Sequence, residues 1–327
     1  MDKFQIMLSS PSLKMEDLKK LCWNGIPDDF RTECWRLLLG YTPLVRERWE
    51  ETITTKRHTY WATVPLNLTE GGTSTLTDYE RTIYHQIHAD VLRTSKSVPL
   101  FQIPSVKSAL ERILYLWAIR HPASGYVQGI NDLVTPFYAV FLQPHINEPI
   151  DEINQISHIQ EEILKDVEAD CYWCLTKFID SIQDNYTFAQ PGIQKMLFKM
   201  KEIVNNIDGP INKHLAKQKI EYIQFAFRWM NCLLMRELPL KAIIRMWDTY
   251  LSEDDCFAVL HVYVCSAFLV KWSDHIVTQE FQEGMIFLQN LPTKNWGIKE
   301  VEVLLSQAYI WKTLYNDSVG HMKSIKH

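Results

Sequence analysis

Two short polar motifs carry the residues whose types and spacing suit chemistry: Ile87-His88-Ala89-Asp90-Val91-Leu92-Arg93 and Tyr126-Val127-Gln128-Gly129. Together they offer an arginine, Arg93, and a glutamine, Gln128, with no nucleophile. That pair suits phosphoryl transfer, which asks for positioning and charge stabilisation more than for covalent chemistry. The chain lacks the G-x-x-x-x-G-K-[ST] loop that would hold a nucleotide, so nucleotide and Mg²⁺ are expected to arrive with a partner.

Each motif also has a plainer reading. Asp90 and Arg93 lie three apart on a helical face, which is the spacing of a surface ion pair, and an arginine near a helix C-terminus is favoured by the dipole alone. Gln128 by itself reads as a solvated loop residue. In the functional reading Asp90 braces the guanidinium toward a groove, while Asn131 and Asp132 cap the next helix and so fix the loop that presents Gln128.

The elements that must position these residues follow from periodicity. Thr77-Asp78-Tyr79-Glu80 is a capping box, predicting a helix from about Asp78 to Arg93 or Thr94. Ser105 to Arg120 has apolar residues at helical spacing and ends at His121-Pro122, since proline disfavours helical geometry in its predecessor. Gly125 and Gly129 flank a turn around Gln128, and Asp132 to Leu142 resumes a buried helix. Gly25-Ile26-Pro27-Asp28 opens an earlier helix that turns Phe30, Cys34, Trp35, Leu38 and Leu39 inward. Leu66 to Thr77, with Gly71-Gly72, reads as a mobile surface loop. Helical patterns continue through Cys171–Ile182, Ile193–Ile207, Ile220–Glu237, Leu240–Leu251, Cys256–Lys271 and Val301–Tyr315, so the chain reads as all-α.

Composition narrows the function. With 327 residues, 46% hydrophobic content, 11 Trp, 14 Tyr and 14 Phe, the chain supports extensive cores, and Trp117, Trp229 and Trp247 read as core packing. A formal charge of -5 does not favour nucleic acid or recruitment to membranes by bulk charge. Seven scattered cysteines with no signal-peptide pattern predict a cytoplasmic, reduced setting. The apolar run Cys256 to Val270 contains His261 and is shorter than the roughly 18 residues of a spanning helix, so a buried helix is expected. Cys171-Tyr172-Trp173-Cys174 has zinc or redox spacing without a second pair, and His85 and His88 lie one turn apart without a third ligand; no metal is expected at either. Residues 144–170 carry eight acids against the single base Lys165 and read as a solvated acidic insertion, an adaptor site or a disordered stretch.

In order and spacing, the motifs resemble those of the TBC-domain Rab GTPase-activating proteins. Arg31-Thr32-Glu33-Cys34-Trp35 is similar to the family's early arginine-to-tryptophan motif; Ile87, Asp90 and Arg93 to its arginine finger; Tyr126, Gln128 and Gly129 to its glutamine finger. Phe225-Ala226-Phe227-Arg228-Trp229, Glu237-Leu238-Pro239 and Met246-Trp247-Asp248 resemble the second-half pattern, so the likeness runs from about Leu18 to Tyr315. It is nearest to the member 22 type, related to the yeast Golgi Rab activator.

The resemblance implies a single all-α, V-shaped TBC domain over 1–327 made of two helical subdomains. An N-terminal one at about 18–170 carries both fingers and the insertion 144–170, and a C-terminal one spans about 171–315. It implies an activator, not an enzyme with its own substrate, that receives a GTP-loaded Rab, with GTP and Mg²⁺ belonging to that partner and no cofactor on this chain. Arg93 and Gln128 would be the catalytic pair, with Asp90 orienting Arg93. Tyr126, Gly129, Asn131 and Asp132 would support the loop or touch the GTPase, and Arg31, Trp35 and Ile87 would be structural. Recruitment to Golgi or vesicle membranes would follow through partners. Two other readings stay open: a non-catalytic Rab-binding scaffold and a general helical interaction module.

Overall fold

The computed structural model describes residues 3–65, 68, 76–254 and 257–323, with side chains through 315. Among them the regular structure is helical, and the only β feature is an isolated bridge between Ser12 and Val45. The chain divides into two compact units, 1–188 and 189–327. The stretch 66–77 that reads as a loop falls outside the described residues except at Leu68, Leu76 and Thr77.

Unit 1 contains α1 (Lys3–Leu8), α2 (Met15–Cys22), α3 (Asp28–Leu38), α4 (Trp49–Trp61), α5 (Asp78–Val91), α6 (Pro104–Arg120), α7 (Ile130–Leu142) and α8 (Glu161–Asp180). Every residue of α7 is buried, which fits a helix apolar on all faces at the centre of its unit. Phe137 of α7 meets Trp35 of α3 edge-on at 5.7 Å and Phe178 of α8 at 5.5 Å, so an aromatic column locks three helices together. The Thr32 hydroxyl donates to the Val140 carbonyl at 2.9 Å and adds a polar tie between α3 and α7. Within α7, Pro136 cannot donate to the Asp132 carbonyl, and the Thr135 hydroxyl supplies that acceptor at 2.8 Å instead.

The acidic stretch 144–170 is a solvated excursion only in part: Glu148, Asp151, Glu152, Glu161 and Glu162 are exposed, but the stretch is anchored. Ile146, Ile150, Ile153, Ile156 and Ile159 are all buried and hold the chain against the unit. From Glu161 onward the acids lie on α8, which runs through position 171 without a break. Glu168 and Asp170 are buried there. Arg112 grips Glu168 through two bonds at 2.8 and 2.7 Å, Tyr60 adds a third at 2.7 Å, and Arg57 grips Asp170 at 2.9 and 2.7 Å, joined by Arg36 and Tyr41. Burial pushes Glu168 up despite Arg112. Burial acts the same way on Asp170, but Arg57, Arg36 and Tyr41 outweigh it and hold that carboxyl below its ordinary value.

Unit 2 contains α9 (Pro191–Ile207), α10 (Gly209–Lys217), α11 (Tyr222–Asn231), α12 (Leu240–Ser252), α13 (Ala258–Val270), α14 (Ser273–Ile276), α15 (Phe281–Gln289) and α16 (Ile298–Lys323). The apolar α13 is its buried centre; Cys256 of the corresponding run lies outside the described residues. No helix among the described residues is long and apolar enough to cross a membrane. His261 is fully buried on α13, with Nε2 3.0 Å from the Trp229 carbonyl and Nδ1 2.7 Å from the Tyr250 hydroxyl; burial lowers its pKa to about 4. α11 ends at Asn231, earlier than the apolar pattern to Glu237 implies, because Leu233 and Leu234 turn into the left-handed region at φ 48° and 61°. Both side chains are buried, so the apolar pattern continues although the helix does not.

Candidate functional site

The Thr77–Glu80 capping box starts α5 as expected: the Thr77 hydroxyl accepts from the Glu80 amide at 3.3 Å and the Glu80 carboxylate accepts from the Thr77 amide at 2.9 Å. The helix ends earlier than expected, at Val91. Arg93 lies in the tightened turn that follows, where its amide donates to the Asp90 carbonyl at 3.1 Å. Ile87 and Val91 face the core and are fully buried. Asp90, on the last turn, is only 2% exposed.

That buried carboxylate is held from two sides. One oxygen pairs with the Arg93 guanidinium, whose side chain is 50% exposed. The other accepts from the Tyr126 hydroxyl at 2.8 Å. Burial and then the Asp90 charge push the Tyr126 phenol well up, so it stays a neutral donor. No other partner of the Arg93 guanidinium is present among the described residues.

The second motif is built by α6 and α7. α6 ends at Arg120 with His121 as its C-cap, and Gly125, at φ 65°, closes the turn with its amide 2.8 Å from the His121 carbonyl. Tyr126 is buried and Gln128 is exposed. Gly129, at φ 115°, is the N-cap of α7 and occupies a conformation that a side chain would strain. Asn131 and Asp132 are therefore not the cap residue itself; they sit in the first turn. Asn131 reaches back, its Oδ1 accepting the Gly129 amide at 2.9 Å, so it fixes the loop from inside the helix. Asp132 is buried in the same turn, where a carboxylate is favoured by the dipole.

The two motifs meet. The Asn131 Nδ2 donates to the Thr94 hydroxyl at 2.9 Å, and that hydroxyl donates to the Asp90 carbonyl at 2.9 Å. Asp90, Arg93, Thr94, Tyr126, Gly129 and Asn131 thus form one bonded cluster, with Gln128 exposed on the loop inside it. Arg31 and Trp35 take no part in those bonds: Arg31 pairs with Asp28 and the Ile26 carbonyl at the start of α3, while Trp35 packs against α7.

Thr94 and Gln102 are the residues that motif reading passes over. Gln102 donates from Nε2 to the Thr94 carbonyl at 3.2 Å. Adjacency to Arg93 was the only signal for Thr94, and nothing in the sequence marks Gln102. Nearby, Glu111 receives the Tyr84 hydroxyl and His88 Nδ1, each at 2.7 Å, so His88 is tied to the body of the unit. Cys171 and Cys174 are both buried with thiols pushed up by that burial, and no group of three metal-ligating side chains occurs among the described residues.

Chemically, the cluster presents a planar cation to solvent with its counter-charge buried behind it, and the loop it fixes carries the exposed residue Gln128. Such a guanidinium suits anionic oxygens, because its fork of donors matches their geometry. The profile of the Rab-GTPase-TBC domain matches residues 28–277, which include every residue of the cluster. The chain belongs to this family.

Among its relatives, TBC1 domain family member 22B of Homo sapiens is 46% identical over 324 residues, covering 99% of this chain and 63% of that protein. The GTPase-activating protein gyp1 of Schizosaccharomyces pombe is 48% identical over 325 residues, covering 98% of this chain and 62% of that protein. This TBC chain therefore spans less than two thirds of the length of those relatives. The crystal structure of the Ypt/Rab-GAP domain of Gyp1p matches with a TM-score of 0.89 and 45% identity, covering 96% of this chain and 97% of that one. The all-α TBC fold expected from the sequence is the fold observed.

Proposed function

We propose that this TBC domain accelerates GTP hydrolysis by a Rab-family GTPase, supplying Arg93 and Gln128 in trans. The observation that carries this reading is the half-exposed Arg93 guanidinium held from behind by a buried carboxylate. Arg93 would meet charge developing on the phosphate oxygens near the leaving group, a contribution of about 10³ to 10⁵ in rate, or roughly 4 to 7 kcal/mol. Gln128 would orient the attacking water from outside the GTPase. Asp90 keeps the guanidinium aimed before the partner arrives, so little ordering remains to be done in the transition state. GTP and Mg²⁺ come with the GTPase, and this chain turns over no substrate of its own.

Support comes from the family membership and from relatives that are named as GTPase-activating proteins. Single-turnover GTP hydrolysis by a panel of purified Rabs tests the reading. Acceleration by the wild type that Arg93→Ala removes is the expected result. A folded wild-type protein that binds a GTP-loaded Rab but leaves its hydrolysis rate unchanged would overturn catalysis in favour of a scaffold.

A further inference from the structure

Thr94 is 1% exposed and has all its polar groups engaged. Its amide donates to the Val91 carbonyl at 3.1 Å, its carbonyl accepts from Gln102 at 3.2 Å, and its hydroxyl sits between Asn131 and the Asp90 carbonyl at 2.9 Å each. The direction of the last two bonds is determined by chemistry. The Gly129 amide can only donate, so the Asn131 atom facing it must be the carbonyl oxygen, and the atom facing Thr94 must be Nδ2. The Thr94 oxygen must therefore accept from Asn131, and its single hydrogen goes to Asp90. Asn131 is itself fully buried and holds the Gly129 end of the Gln128 loop.

From this geometry we infer that Thr94 is a positioning residue for both fingers, its hydroxyl joining the Arg93 turn to the Gln128 loop as one mechanical unit. The inference rests on the proposed roles of Arg93 and Gln128 for its consequence in rate, but the coupling belongs to the free protein. The Asp90–Tyr126 bond also bridges the two motifs, yet it reaches Arg93 through the side chain; Thr94 acts on the backbone of the turn that carries Arg93. Ser95, next along, is held at φ 42°, and Gln102 pins the turn from the other side.

Thr94→Val keeps the shape and removes both hydroxyl bonds, whereas Thr94→Ser keeps the hydroxyl. Thr94→Val should lower the maximal single-turnover rate at least about tenfold, toward the 10²-fold that a misplacement of ~1 Å costs. The half-saturating activator concentration should stay within about threefold, and Thr94→Ser should recover the rate to within about threefold. In the Gln128→Ala background, adding Thr94→Val should lower whatever acceleration remains, because Arg93 is still there for Thr94 to position.

Amide hydrogen exchange on the free protein reads the coupling without any GTPase. Thr94→Val should speed exchange across 126–131 while α8 exchanges as in the wild type, and Thr94→Ser should not. Unchanged exchange across 126–131 in Thr94→Val, or equal damage from both substitutions, would overturn the inference even if Arg93→Ala behaves as proposed. No further loss from Thr94→Val in the Gln128→Ala background would overturn the positioning of Arg93 by Thr94. A wild type that accelerates no Rab would defeat the proposed function, while the exchange experiment would still decide the coupling.

Discussion

Unit 1 uses the same pairing of arginine and buried carboxylate in two regions, with opposite outcomes. On α8, Glu168 and Asp170 are enclosed by Arg112, Arg57 and Arg36, whose side chains are only 17, 24 and 16% exposed. At the end of α5, Asp90 is equally buried but its arginine is 50% exposed. In the first region the guanidinium donors point inward, and the pairs join α3, α4 and α6 to α8. In the second, Tyr126 and Arg93 share the carboxylate, and much of the cation is left facing solvent. Burial of the acid is common to both; the exposure of the arginine separates the structural pairs of α8 from the proposed site.

Substitutions can break that comparison. The largest effect expected is on rate: Arg93→Ala should cost about 10³ to 10⁵ in acceleration, or roughly 4 to 7 kcal/mol. It should cost only about 1 kcal/mol in unfolding free energy by denaturant titration, as for a half-solvated pair, since Asp90 keeps the Tyr126 hydroxyl. Arg93→Lys should also lose most of the acceleration, because an ammonium lacks the planar fork of donors. Asp170→Ala should show the reverse pattern. Stripping Arg57 and Arg36 of their shared carboxylate should cost about 3 to 5 kcal/mol of stability, while the folded fraction keeps a wild-type rate constant.

Unit 2 supplies a pH contrast. His261 is buried neutral with its pKa lowered from 6.5 to about 4. Its contribution is fully present above about 6.5 and is lost as pH falls toward about 4, because the unfolded chain binds the proton first; the total is about 3 kcal/mol. The depressed Asp170 carboxyl gives up its contribution only below the ordinary carboxylate range, and the raised Glu168 acts with the opposite sign. The difference in unfolding free energy between wild type and His261→Gln should therefore change between pH 6.5 and 4. A flat difference would contradict the buried neutral ring.

Tyr126→Phe should cost about 1.5 to 3 kcal/mol, for one hydrogen bond to a charged group, read as a fall in stability together with a lower maximal rate. A fall in stability with the rate unchanged would mean that Asp90 aims Arg93 without help.

The candidate site was legible in the sequence wherever its parts are near neighbours in the chain. Asp90 and Arg93 are three apart, Tyr126 to Gly129 is one turn, and the capping box at Thr77 marks the start of the helix that carries Arg93. What joins these pieces was not legible. Asn131 and Thr94 are 37 residues apart, and neither residue type marks the other. Glu168 and Asp170 of α8 misled for the same reason: Arg112 and Arg57 neutralise them from 56 and 113 residues away, so local charge counting saw solvent where there is core. Helix ends were the other weak point. At Leu233 and Leu234 the apolar periodicity continues through a left-handed turn, and at Val91 the last turn tightens before Arg93.

Single-turnover GTP hydrolysis by GTP-loaded Rabs, at saturating wild type, Arg93→Ala and Arg57→Ala, tests most directly whether an exposed arginine on a buried carboxylate marks the site. Acceleration lost with Arg93→Ala and retained by folded Arg57→Ala is the predicted result. Equal acceleration by wild type and Arg93→Ala, or loss confined to Arg57→Ala, would contradict it.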